Sequence, residues 1–217
     1  MSSCKYSCTL RALVQRFLKV RRPSFVAVGT MLMAAGTTCA GALLQPPRAA
    51  ARAISMARVA RACPGSTVRP AGTDAAAVEQ ATLCMVNRIR ANHHLPALRA
   101  NSTLDAVAGS QVSSMVRLDY FADVRPSGQT PMALVSSTPY AHSAYVSIGQ
   151  NIAWGTGGQA DASSIVLAWM NSPPHRRIIL TSQYRDAGVA VTPSVPAVVG
   201  AGSSGATYAM EFGVRKP

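Results

Sequence analysis

Two strand-like segments close this chain, and only a loop stands between them. Gly188-Val189-Ala190-Val191 and Thr207-Tyr208-Ala209-Met210-Glu211-Phe212 are both β-compatible. A Gly/Pro/Ser/Val stretch from Pro193 to Gly205 joins them, so they read as neighbouring antiparallel strands. Helical patterns come earlier. Val78, Thr82, Met85 and Ile89 follow at steps of four, three and four, which places them on one helical face. That helix starts at Thr73-Asp74 and ends near Asn92, ahead of Pro96. A second helix starts at Asn101-Ser102, with Asp105 placed like a capping-box partner. Leu104, Ala108, Met115 and Leu118 share its face, and Gln111 is the polar exception. A third runs from Asp161 to Asn171, stopped by Pro173-Pro174, and Ile165, Ala168 and Trp169 are expected to face the core. Residues 146–153 form one further β-compatible segment. Helices first and adjacent strands last predict an α+β fold rather than alternating α/β.

Charge divides the chain. Residues 1–53 carry eight Lys and Arg and no acid, while the formal net charge of the whole is +13. The basic start is followed by an apolar run from Phe25 to Leu44, which holds the small-residue triplet Ala40-Gly41-Ala42 near its end, and Ala51-Arg52-Ala53 offers a second such triplet. This is the order of an export signal. The run also approaches the ~20 residues of a spanning helix, so a retained anchor is the alternative. Residues 54–72, rich in Ala, Arg, Pro and Gly, read as a linker. The remaining Arg residues are scattered, with no basic stripe interleaved by stacking aromatics, so nucleic acid is not an expected partner.

Three of the five cysteines, Cys4, Cys8 and Cys39, lie in the segment an export signal would remove. Cys63 and Cys84 remain. In an oxidising compartment an even pair reads as a disulfide tying the 54–72 segment to the first helix. Two separate buried thiols are the alternative.

Six short motifs then occur in order. They are Leu83-Cys84-Met85-Val86-Asn87-Arg88-Ile89-Arg90, Leu95-Pro96-Ala97-Leu98, Tyr120-Phe121, Gly149-Gln150-Asn151-Ile152-Ala153, Ala168-Trp169-Met170-Asn171-Ser172-Pro173-Pro174-His175-Arg176 and Gly188-Val189-Ala190-Val191. Together they resemble the CAP superfamily of cysteine-rich secretory, antigen 5 and pathogenesis-related proteins, and in particular its short bacterial SCP-like branch. The resemblance covers residues 73–217. It implies a three-layer α-β-α sandwich with a central antiparallel sheet.

The resemblance also implies a cleft with two histidines and two acids, which binds a divalent metal in some members. His175 stands at the later histidine. Asp123 stands where the earlier histidine is expected, and Gln150 replaces the acid of the Gly-Glu-Asn-Ile pattern. No acid sits near Ser127, where the fourth is expected. Asp123, Gln150, Asn151 and His175 are therefore the expected cleft residues. Zinc wants three or four ligands of the imidazole, thiolate or carboxylate type. The expectation is no resident cofactor, with at most weak divalent-metal binding through His175 and Asp123. An amide such as Gln150 cannot act as a general base.

Two functions follow. One is a secreted, non-catalytic module whose degenerate cleft binds a ligand or a cell-envelope component, lipid included. Membrane contact is then expected only if the N-terminal segment is retained. The other is an extracellular metal-assisted or peptidase-like hydrolase using Asp123 and His175 as a hydrogen-bonded dyad. That one needs a nucleophile, and Ser127, Ser136 and Ser137 are the nearby loop serines.

Overall fold

The computed structural model describes residues 55–216. The expected export segment, residues 1–53, lies outside the described residues. The elements run α1 (Met56–Arg61), α2 (Ala75–Asn92), β1 (Arg99–Ala100), α3 (Ser102–Arg117), α4 (Pro131–Ser136), β2 (Tyr145–Thr156), α5 (Ala162–Asn171), α6 (Pro173–Ile179), β3 (Asp186–Thr192), α7 (Ala197–Gly200) and β4 (Gly205–Lys216). The sheet order is β1-β3-β4-β2. β4 pairs antiparallel with both β2 and β3, whereas the two-residue β1 adds parallel to β3. The fold is α+β, and the expected antiparallel sheet carries one short parallel edge.

Alternation along the strands feeds two cores. Ala187, Val189 and Val191 of β3 and Tyr208, Met210, Phe212 and Val214 of β4 face a large core with α1, α2, α5 and α6. Ala190, Ala209 and Ile152 face the other way, onto Ala108, Val112 and Met115 of α3. This gives the three layers. Gly188 sits where α3 presses on β3, because a Cβ there would run into the backbone of Leu104 and Asp105.

Residues 54–72 are not a linker. Val59 and Ala60 of α1 are buried in the large core, and the Ser66 backbone carbonyl accepts from the Ser163 amide at 2.8 Å. A helix of six residues mixing Ala with Arg leaves little periodic signal, which is why composition alone suggests a spacer. Cys63 is bonded to Cys84, 21 residues on, and fixes α1 to α2. Pro173 does more than stop α5. It opens α6 at the first helical position, where a missing N–H is tolerated. The cap of α3 is Asn101, whose Oδ1 accepts from the Thr103 and Leu104 amides. Asp105 is thereby free for another task. Its carboxylate accepts the Val189 amide at 2.9 Å, and Glu79 of α2 accepts the Val191 amide at 3.0 Å. These two N–H groups lie on the side of β3 that β1 is too short to cover.

Arg90 at the end of α2 is fully buried and has no carboxylate partner. Its guanidinium donates to four carbonyls: Pro96 at 3.0 Å, Ile179 at 2.7 Å, Thr181 at 2.9 Å and Tyr184 at 3.2 Å. Asn87, one turn earlier, exchanges two hydrogen bonds with the Leu98 backbone. The Asn87…Arg90 and Leu95…Leu98 motifs are thus one structural clasp.

Arg90→Met keeps bulk but leaves four carbonyls without their donor, and each such loss costs roughly 1–3 kcal/mol. It should destabilise the chain by about 3 kcal/mol or more, read as a lower urea midpoint with unchanged slope. Cys63→Ser with Cys84→Ser should cost roughly 3 kcal/mol by freeing the unfolded loop, and thiol labelling of the unreduced, unfolded parent should find no free Cys63 or Cys84.

Candidate functional site

The site gathers on β2, which is one edge of the sheet. Gln150 and Asn151 are adjacent there and so point to opposite faces. Gln150 shares the α3 face with its cross-strand partner Glu211. Asn151 faces the α5–α6 layer, where its Nδ2 donates to the His175 carbonyl at 3.2 Å. Asn151 is fully buried. It therefore anchors the first turn of α6 and does not line the groove beside Gln150, which corrects the sequence expectation for this residue.

His175 is half-buried on that first turn. Its Nδ1 lies 2.7 Å from Ser172 Oγ. Ser172 is the N-cap residue of α6, but its hydroxyl caps no backbone amide of that helix and meets the His175 ring instead. Burial lowers the imidazole pKa, and the nearby Asp123 carboxylate opposes that shift. The net effect favours the neutral imidazole.

Asp123 comes from the loop after α3. That loop is held by Gln111, the polar exception on the core face. Gln111 Nε2 donates to the Ala122 carbonyl at 3.0 Å and the Asp123 carbonyl at 3.3 Å, while its Oε1 accepts from Arg125 at 3.1 Å. Asp123 is an exposed residue, yet desolvation raises its carboxyl pKa and His175 only partly offsets this. The two side chains act on each other through space, but they make no hydrogen bond. Among the described residues the one ion pair is Arg99–Asp186. The hydrogen-bonded Asp–His dyad is thus not formed. Ser127 and Ser137 bond Gln129 and the Leu134 carbonyl instead of approaching His175. The hydroxyl on His175 is that of Ser172, which its place inside the Ser-Pro-Pro-His motif conceals.

Glu211 is a further site residue that the sequence does not single out. It is fully buried on β4, and Gln150 Nε2 donates to its Oε1 at 2.5 Å. Burial, with Asp123 adding repulsion, pushes its pKa up to about 7 despite the Gln150 hydrogen bond. Gln150 Oε1, Asn151 Oδ1 and Glu211 Oε2 are buried acceptors without a partner. Read alone, Glu211 is one polar residue in a strand of core residues, and only the β2–β4 register brings it beside Gln150.

The metal that the resemblance implies does not fit this donor set. One imidazole is present and its Nδ1 is engaged by a hydroxyl. The neighbouring position is an amide, and among the described residues no three His, Cys, Asp or Glu side chains converge.

A three-layer α-β-α domain, tied by a disulfide and carrying a cluster of polar side chains at the β2 edge, is the architecture of SCP-like domains. The cysteine-rich secretory protein family (CAP) matches residues 83–197, more than half of the chain, and the chain belongs to that family. It is 29% identical over 124 residues to the uncharacterized protein YkwD of Bacillus subtilis strain 168. That match covers 57% of this chain and 46% of the relative, so the chain spans less than half of that protein's length. Two solved structures share the fold. An extracellular SCP-domain protein of Bacillus anthracis has a TM-score of 0.53 and 24% identity, covering 68% of this chain and 45% of that one. An outer surface protein of Borrelia burgdorferi has a TM-score of 0.51 and 19% identity, covering 62% of this chain and 90% of that one.

Glu211 carries a stability prediction. Its folded pKa of about 7 exceeds the ordinary 4.5. Between those values the folded chain holds a proton that the unfolded chain has released. This contribution to stability is present at low pH and is lost as pH rises through about 7. Glu211→Gln should therefore gain stability relative to the parent as pH rises across that window, and the gap should level off above it. Urea unfolding of both chains at a series of pH values measures the gap. A gap independent of pH would show that Glu211 does not titrate there.

Proposed function

We propose that the chain is exported and works outside the cytoplasm as a non-catalytic binding module, with the β2-edge groove as its ligand site. The observation that carries this reading is the set of buried acceptors left without donors, Gln150 Oε1 and Glu211 Oε2, beside Asp123. Buried polar atoms are ordinarily satisfied, so a ligand offering N–H or O–H groups is their natural complement. The Cys63–Cys84 bond agrees with an oxidising compartment. The extracellular and outer-surface relatives support the same location for this chain. Among the described residues no helix is long and apolar enough to cross a membrane. A cell-envelope component, lipid included, is the partner class that the family resemblance suggests.

The second reading, a hydrolase, has one observation in its favour: the 2.7 Å approach of Ser172 Oγ to His175 Nδ1, with Asp123 beyond. On that reading Ser172 is the nucleophile and His175 its base. Ser172 and His175 are three residues apart at the start of α6, so their proximity is also local and needs no chemistry. A fluorophosphonate probe decides between them. The binding module should stay unlabelled, whereas labelling that disappears in Ser172→Ala would establish the hydrolase and overturn the first reading.

The donor set gives a further expectation. Asp123→His with Gln150→Glu supplies two imidazoles and a carboxylate, so zinc affinity should rise roughly tenfold or more above that of the parent. Calorimetric titration of both chains measures this. Tight one-to-one zinc binding by the parent, lost in His175→Ala, would contradict the account of the groove.

A further inference from the structure

The Gln150–Glu211 pair has a property that neither residue has alone. A carboxyl group can accept or donate according to its proton, and a side-chain amide can present either end. The contact between them, 2.5 Å, is short for N–H···O and lies within the ordinary range for O–H···O. The amide can meet Glu211 with its NH2 or, turned over, with its oxygen. The end turned away from Glu211, Gln150 Oε1, is itself buried and has no partner.

We propose that Gln150 and Glu211 form a proton-toggled hydrogen-bond site at the base of the groove. With Glu211 ionised, Gln150 donates its NH2 inward and offers its carbonyl oxygen to ligand N–H groups. With Glu211 protonated, its O–H donates to the Gln150 oxygen, and the amide offers its NH2 to a ligand carbonyl or carboxylate. The proton is exchanged with solvent, and no bond other than the hydrogen bond changes.

The surroundings isolate this pair. On β3 the register partner of Glu211 is Gly188, which has no side chain. The α3 residues packed on this face of the sheet include the apolar Ala108, Val112 and Met115, and Gln111 of α3 is engaged with the Asp123 loop. Asp105 of α3 is committed to the Val189 amide, and Arg125 is held by Gln111 and Ser110. Asp123 is the charged group acting on Glu211, and His175 of α6 acts on Asp123. No cation reaches Glu211 to fix it as a carboxylate, since no Arg or Lys bonds it among the described residues. A titration near neutrality follows from this isolation, in agreement with the raised pKa of about 7.

The ligand half of this inference rests on the groove being a binding site, whereas the toggle itself does not. The test is NMR of the oxidised chain, labelled with 13C and 15N, across pH 5 to 9. Glu211 13Cδ should titrate more than one pH unit above an ordinary glutamate, and the Gln150 side-chain NH2 signals should move with the same midpoint. In Glu211→Gln those signals should be flat. Should that variant not fold, the parent titration alone still decides. A Glu211 midpoint near 4.5, or Gln150 signals that ignore the Glu211 transition, would overturn the toggle. Acetate and methylammonium then serve as probes. Acetate should shift the Gln150 signals only below the midpoint, and methylammonium only above it. A shared midpoint with no response to either probe would overturn the groove as a ligand site and leave the proton pair standing.

Discussion

Much of this structure depends on one buried guanidinium. Arg90 ends α2 and reaches the turn before β1, the end of α6 and the segment leading into β3. It replaces a patch of core with a charge that has no counter-ion. That is tolerable because the guanidinium is saturated by carbonyl oxygens, each a partial negative charge. Its consequence for the groove is direct. α6 is only seven residues long and cannot hold its own position. Arg90 fixes its C-terminal end through the Ile179 carbonyl, and Asn151 fixes its first turn through the His175 carbonyl. The placement of His175 is therefore set by two polar residues in the interior.

The same economy recurs on the other helices. Asp105 and Glu79 use carboxylates to satisfy the open side of β3, and both have raised pKa values because burial outweighs the hydrogen bonds they gain. Such capping prevents the strand from pairing with another chain. Glu211 differs from these two. Its second oxygen has no donor, and the charged group acting on it is another acid. A buried group that gains so little from the fold is a candidate for a role outside it.

The fold was largely legible because its signals are long. Val78 to Ile89 and Leu104 to Met115 repeat at helical spacing, and the two closing β-compatible segments are separated by a loop alone. Short elements were hidden. α1 has six residues, and α6 begins at prolines that read as a stop. The site was legible only where a motif named it. His175 and Gln150 sit inside recognisable stretches, and the structure brings Asp123 within electrostatic reach of His175. Glu211 and Ser172 were invisible as site residues because their significance is relational. Glu211 matters through the β2–β4 register, and Ser172 through the turn that bends it back onto His175. Asn151 shows the converse, since a motif placed it in the groove and the two-residue period of a strand turned it to the other face.

The central claim is that this CAP domain carries in its groove a hydrogen-bonding and proton-binding pair, where the family resemblance implies a metal. The most direct measurement is a crystal structure of the oxidised chain grown above about pH 8, past the Glu211 transition, and soaked in zinc, with anomalous data collected at the zinc edge. The account predicts no anomalous peak within coordination distance of His175, with Gln150 still paired to Glu211. A single strong peak coordinated by His175 Nε2 and Asp123 would contradict it.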